Sequence, residues 1–126
     1  MVGIVIVSHS EKLAEGVVEI SRMMAEKVPI AAAGGLENGG LGTSYEKICA
    51  AIEAVYSADG VIILMDMGSA VMTTEMVLDY LDKPNVKMID CPLVEGAVLA
   101  AVESAGGATL QELIKRIEDS RTTNKF

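Results

Sequence analysis

The chain has 126 residues, 51% of them hydrophobic, with no Trp, a single Phe and a net charge of −8. That length fits one domain around one aliphatic core, and the acidic balance excludes nucleic acid as a partner and disfavours anionic membranes. No apolar run is long enough to span a bilayer and no cleavable leader is read, so no membrane insertion is expected and the expected compartment is the cytoplasm.

Val2–Val7 is almost unbroken aliphatic, the pattern of a strand buried on both faces of a parallel sheet. It stops at Ser8-His9-Ser10, which puts the only histidine of the chain at the carboxyl end of the first strand. Open α/β sheets hold their ligands at that edge. Residues 10–26 then place Leu13, Val17, Ile20 and Met24 on one stripe, with Glu11, Glu15, Glu19, Arg22 and Glu26 elsewhere, which predicts an amphipathic helix. Ser8-x-x-Glu11 predicts a capping box that holds His9 in the first turn. Residues 28–33 form a short second strand, where Pro29 fits only near the start or on an edge.

Gly34–Ser44 (GGLENGGLGTS) contains five glycines within nine residues. The segment reads either as a long flexible turn or as an anion-binding loop that feeds a helix N-terminus. It lacks the lysine of a P-loop and the spacing of a dinucleotide fingerprint. Thr43-x-x-Glu46 predicts a cap for a helix over 43–57, with Ile48, Ile52 and Val55 inward. The third strand, 60–66, ends in Asp66, and Met67-Gly68-Ser69 turns into a helix over 69–81. Asp66 is either a cap for that helix or part of a site. A short strand at 86–89, a small-residue helix over 94–105, a Gly106-Gly107 break and a helix capped by Thr109-x-x-Glu112 complete the chain. Leu110, Leu113, Ile114 and Ile117 are the apolar stripe of that last helix, and the tail from Arg121 is polar and expected to fray.

Strand–helix alternation with right-handed crossovers predicts an open, doubly wound α/β fold, a parallel sheet in the order 2-1-3-4 with helices on both faces. In that order strands 1 and 3 are adjacent and their connections leave toward opposite faces, so His9 and Asp66 meet in a crevice flanked by the glycine loop. A carboxylate on one ring nitrogen fixes the tautomer and leaves the other nitrogen as a nucleophile. Ser69 and the amides of the loop and of the helix starts suit a small tetrahedral anion. No metal-ligand set and no nucleophile elbow are present, and no cofactor is called for. Cys49 and Cys91 read as reduced, small hydrophobes. Covalent catalysis by histidine on phosphate remains.

Val-Ser-His-Ser at the first strand end, the Gly-Gly-Leu-Glu-Asn-Gly-Gly-Leu-Gly-Thr-Ser loop and Met-Asp-Met-Gly-Ser-Ala resemble the mannose-class enzyme IIA domains of the bacterial phosphotransferase system over nearly the whole chain, residues 1–126. The loop is most similar to the branch that serves dihydroxyacetone kinase. The resemblance implies a phosphohistidine carrier in which His9 accepts a phosphoryl group from phosphorylated phosphocarrier protein (HPr). ADP bound on the nucleotide-binding kinase subunit would then receive it. Asp66 would orient the imidazole, while Ser10, Gly39, Gly40, Gly42, Thr43, Gly68 and Ser69 would support the phosphoryl group. The alternative within the family is sugar transport, with an enzyme IIB domain as acceptor. Some members carry further phosphotransferase domains fused behind this one, and none follows here, so a separate phosphocarrier is expected.

Outside the family, a response-regulator receiver would also end its third strand in aspartate, but it needs an acidic pair where Ser8-His9-Ser10 stand. A binding module for a small anion is the third reading. A homodimer is expected through the Val86–Ile89 edge and the helix over 94–105, since Lys87 alone guards that edge whereas Pro29 blunts the other. Met72 and Met76 are either further contacts or core residues.

Overall fold

β1 (Gly3–Ser8) is buried along its whole length, and the rest of the chain is arranged on it. In the computed structural model, which describes residues 1–126, it is followed by α1 (Glu11–Met24), β2 (Ile30–Gly34), α2 (Tyr45–Val55), β3 (Val61–Met65), α3 (Gly68–Leu81), β4 (Val86–Met88), α4 (Leu93–Ala105) and α5 (Leu110–Ser120). The four strands are parallel and lie in the predicted order β2-β1-β3-β4. Two-residue periodicity divides the core between the faces. Ile4 and Ile6 pack with Ile62 and Leu64 beneath α1, α4 and α5, while Val5 and Val7 pack with Val61 and Ile63 beneath α2 and α3. Burial of each such aliphatic side chain stabilises the fold by about 1.5–3 kcal/mol.

Pro29 stands immediately before the edge strand β2, and its carbonyl accepts from the Ile4 amide at 2.9 Å. A proline there removes no ladder donor. α4 approaches the sheet through Gly96, Ala97, Ala100 and Ala101, and a Cβ added at Gly96 would collide with the Cys91 sulfur. No helix is long and apolar enough to cross a membrane.

The expected face of α1 is displaced. Of its predicted inward stripe only Val17 is buried; Leu13, Ile20 and Met24 are exposed, and Ala14 and Ser21 take the inner positions. Small residues let α1 lie close to the sheet and to α4, which pushes the longer side chains to the flank. Two caps also shift by two residues and one residue respectively. Ser10 accepts from the Leu13 amide at 3.2 Å, and Ser44 from the Lys47 amide at 3.1 Å. The hydroxyls expected to cap, those of Ser8 and Thr43, are held by tertiary partners instead: Asp66 at 2.9 Å and Thr73 at 2.8 Å. The Thr109–Glu112 capping box forms as predicted, with both reciprocal bonds.

Candidate functional site

Parallel pairing of Val7 with Met65 brings the next residues of β1 and β3, Ser8 and Asp66, side by side at the carboxyl edge. From there the chain turns into α1 on one face and α3 on the other, so the crevice predicted for order 2-1-3-4 is present. In it, Asp66 accepts from four donors. Oδ1 takes the His9 ring Nδ1 at 2.9 Å and the Met67 amide at 2.7 Å; Oδ2 takes the Ser8 hydroxyl and the His9 amide, each at 2.9 Å. Both the ring and the main chain of His9 are thus tied to one carboxylate.

The partner determines the tautomer. A carboxylate can only accept, so Nδ1 carries the proton and Nε2 holds the lone pair. Ser69 Oγ lies in hydrogen-bond contact with Nε2 and donates to it. The His9 side chain is 21% exposed and that of Asp66 12%, so the nucleophilic nitrogen is reachable while its support is shielded. Burial pushes the Asp66 carboxyl up, but bonds from the His9 amide and ring, the Ser8 hydroxyl and the Met67 amide outweigh it and hold the group below the ordinary aspartate value.

Asp66 is not the cap of α3. Met67 occupies that position and caps with no side-chain bond. The Gly68 and Ser69 amides, in the first turn beside Nε2, therefore have no intrahelical acceptor. His9 likewise stands outside α1, before its cap Ser10, rather than in its first turn.

The glycine loop behaves differently from the anion cradle expected of it. The Gly39 amide donates to the Leu36 carbonyl at 2.9 Å, that of Gly40 to Asn38 Oδ1 at 2.8 Å, and that of Gly42 to the His9 carbonyl at 2.8 Å. All three are committed within the protein. Gly39 and Gly42 adopt φ of +85° and +144°, which glycine alone takes without strain. Of the loop, only Gly42 holds His9, and it does so through the main chain. Thr43 Oγ1 meets Thr73 of α3 and pins the loop across the crevice. Ser10 uses its hydroxyl on the α1 cap and its amide on Ser8 Oγ at 3.0 Å.

Three contributors were missed as such. Ser8, fully buried, joins Asp66 to the Ser10 amide, and its position at the end of β1 opposite Asp66 was a usable signal once the register was known. Thr73 carries no sequence signal beyond its place on α3. Lys47 donates to Glu11 at 3.0 Å and to the Gly34 carbonyl at 2.9 Å, a tertiary bridge that spacing does not reveal. The cysteines stay outside the site: burial pushes the Cys91 thiol up to about 11, and burial also raises that of Cys49. No group of His, Cys, Asp and Glu side chains is placed to hold a metal ion.

A buried-carboxylate–histidine pair at a strand end, with free helix amides beside the open nitrogen, is the setting in which the sequence matches weigh most. Residues 3–114 match the EIIA-man family, described as the PTS system fructose IIA component. The chain belongs to this family. It is 39% identical over 116 residues to the PTS-dependent dihydroxyacetone kinase phosphotransferase subunit DhaM of Lactococcus lactis subsp. lactis, covering 92% of this chain and 93% of that one. It is 41% identical over 121 residues to the PEP-dependent dihydroxyacetone kinase phosphoryl donor subunit DhaM of Escherichia coli, covering 90% of this chain and 26% of that protein. The EIIA-man chain therefore spans about a quarter of the length of the second relative and nearly all of the first. Among solved structures, it superposes on the unknown-function protein EF1359 with a TM-score of 0.86 at 26% identity, covering 100% of this chain and 99% of that one.

Proposed function

We propose that this EIIA-man protein is the phosphoryl donor component of a dihydroxyacetone kinase, working as a phosphohistidine carrier. His9 accepts a phosphoryl group from phosphorylated HPr and passes it to ADP bound on the nucleotide-binding kinase subunit. The observation that carries this reading is the four-fold use of the Asp66 carboxylate, which holds Nδ1–H and leaves Nε2 open beside Ser69 and the first amides of α3. The names of the DhaM relatives support the kinase acceptor.

In the transfer, the Nε2 lone pair attacks phosphorus in line with the donor's P–N bond. That bond breaks, its electron pair returns to the donor imidazole, and a new P–Nε2 bond forms. The His9 ring becomes cationic with its proton still on Nδ1, and the adjacent Asp66 carboxylate stabilises that charge. Ser69 gives up its bond to Nε2 and donates to a phosphoryl oxygen instead, together with the Gly68 and Ser69 amides at the positive end of the α3 dipole. Gly39, Gly40, Gly42, Thr43 and Ser10 act through the position of the His9 main chain and of the crevice walls. Transfer out is the same displacement with a phosphate oxygen of ADP as nucleophile.

The test is to drive label from phosphoenolpyruvate through enzyme I and HPr onto the chain, then offer two acceptors, the kinase subunit with ADP and a sugar-specific IIB domain. Acid-labile, base-stable label that moves to ADP supports the proposal. Transfer to IIB alone assigns the protein to sugar transport, and label on Asp66 sinks the carrier mechanism.

The proposal includes a homodimer. β4 is an edge strand of only three residues with Lys87 exposed, and Val94 and Val102 on α4 are also exposed. A monomer mass by light scattering at micromolar concentration overturns the dimer and leaves the carrier intact.

A further inference from the structure

The outer face of α3 reverses the usual division of a surface helix. Ser69, Met72, Met76 and Tyr80 follow three- and four-residue spacing, so they form one stripe that starts at the hydroxyl on His9 Nε2. The inner face buries Ala70, Thr74 and Val77, so these large side chains are not needed by the core. Met67 before the helix and Leu41 at the loop tip extend the stripe around the nucleophile; the Thr43–Thr73 bond joins the loop to α3 next to Met72. Leu41, Met67, Met72, Met76 and Tyr80 are each between 60% and 79% exposed. α5, whose outer face carries Gln111, Glu112, Lys115, Arg116 and Asp119, is the contrast. Exposed apolar side chains clustered at one place mark an interaction surface.

From this patch we infer that Leu41, Met67 and the Met72–Met76–Tyr80 stripe of α3 are the docking face for the protein that delivers the phosphoryl group to His9. The inference rests on the carrier reading above. Transfer between two histidines requires the partner's phosphorus to reach Nε2, so the interface has to be centred on the start of α3, where the apolar cluster lies. A second copy seated there would cover Ser69 and shut the nucleophile off from any donor. The rim indicates the chemistry of the partner: Glu75 and Asp79 flank the stripe, α3 has no basic residue, and Glu37 and Glu46 lie on the loop side. A partner with an apolar centre ringed by Lys and Arg fits this face. Thioether side chains repack readily, which lets the acceptor use the same face in its turn.

Initial rates of His9 labelling, measured against the concentration of phosphorylated HPr, test the inference. Met72→Ala/Met76→Ala is expected to raise the KM for HPr at least fivefold, with kcat and melting temperature within error of wild type. Glu75→Lys/Asp79→Lys should also raise KM, by a factor that shrinks as salt is added. Met23→Ala, an equally exposed methionine at the far end of α1, should change nothing. A KM within twofold of wild type for the double methionine variant overturns the docking face. So does a wild-type dimer that the same variant dissociates with KM unchanged, which would assign the patch to a second copy. Wild-type protein that takes up no label from HPr at all overturns the carrier reading, and the docking face with it.

Discussion

The Asp66 corner and the glycine loop both follow parallel strands at the same edge of the sheet, and both contain residues suited to phosphate. Their hydrogen bonds run in opposite senses. At Asp66 the donors converge on one carboxylate and leave a nitrogen lone pair and two helix amides facing the crevice. In the loop the donors turn inward, closing turns on Leu36 and Asn38 and clasping the His9 carbonyl. A glycine-rich sequence grants conformational freedom, and here that freedom builds a rigid clamp rather than an anion cradle. Chemistry is concentrated on one side of His9 and support on the other.

Replacing residues on each side separates the two roles. His9→Ala should abolish labelling while circular dichroism and melting temperature stay native; label retained by this variant breaks the comparison at its centre. Asp66→Asn should slow transfer about 10–100-fold, since it removes the charge behind the imidazole while keeping much of the shape. It should also alter the acid limb of stability. The folded-state pKa of Asp66 is depressed, so its contribution is present above the unfolded value and is lost as pH falls through the folded one. Melting curves taken down through about pH 4 should therefore fall less steeply for the variant than for wild type. Parallel curves would assign the acid sensitivity to other carboxylates.

Ser69→Ala should reduce the rate by only a few fold, because the Gly68 and Ser69 amides remain available to the phosphoryl group. A loss as large as that of Asp66→Asn would make the hydroxyl the main phosphate donor. On the loop side, Gly42→Ala should destabilise the fold by about 1–3 kcal/mol, as alanine is strained at this φ, and a Cβ there would also press on Leu36. Its transfer rate at low temperature should stay within about threefold of wild type. Gly39→Ala should have the smallest effect, since its Cβ would meet nothing within 4 Å and only the positive φ opposes it. If either glycine variant lost activity without losing stability, the loop would have to be treated as part of the chemistry.

Much of this was legible beforehand. The aliphatic runs of β1 and β3 and the inward faces of α2 and α5 agree with their periodicity. The errors share a cause. The Leu13–Ile20–Met24 stripe was the most hydrophobic line on α1, yet close packing favoured the smaller Ala14 and Ser21. Ser8 and Thr43 were acceptable caps by local rule, but Asp66 and Thr73 stood close enough to engage them. Met72 and Met76, left open between core and surface, are exposed because Ala70, Thr74 and Val77 meet the sheet.

By itself, then, the sequence determined the strand order and the meeting of His9 with Asp66. Apolar period, glycine breaks and the right-handedness of crossovers are local or nearly local rules, and together they leave few ways to arrange four strands. Only the tertiary structure decided which nitrogen of His9 is open, which hydroxyls cap and which amides remain free. Each of those depends on a donor and an acceptor far apart in the chain coming within about 3 Å of each other, and residues 9 and 66 learn of one another only when β1 and β3 pair.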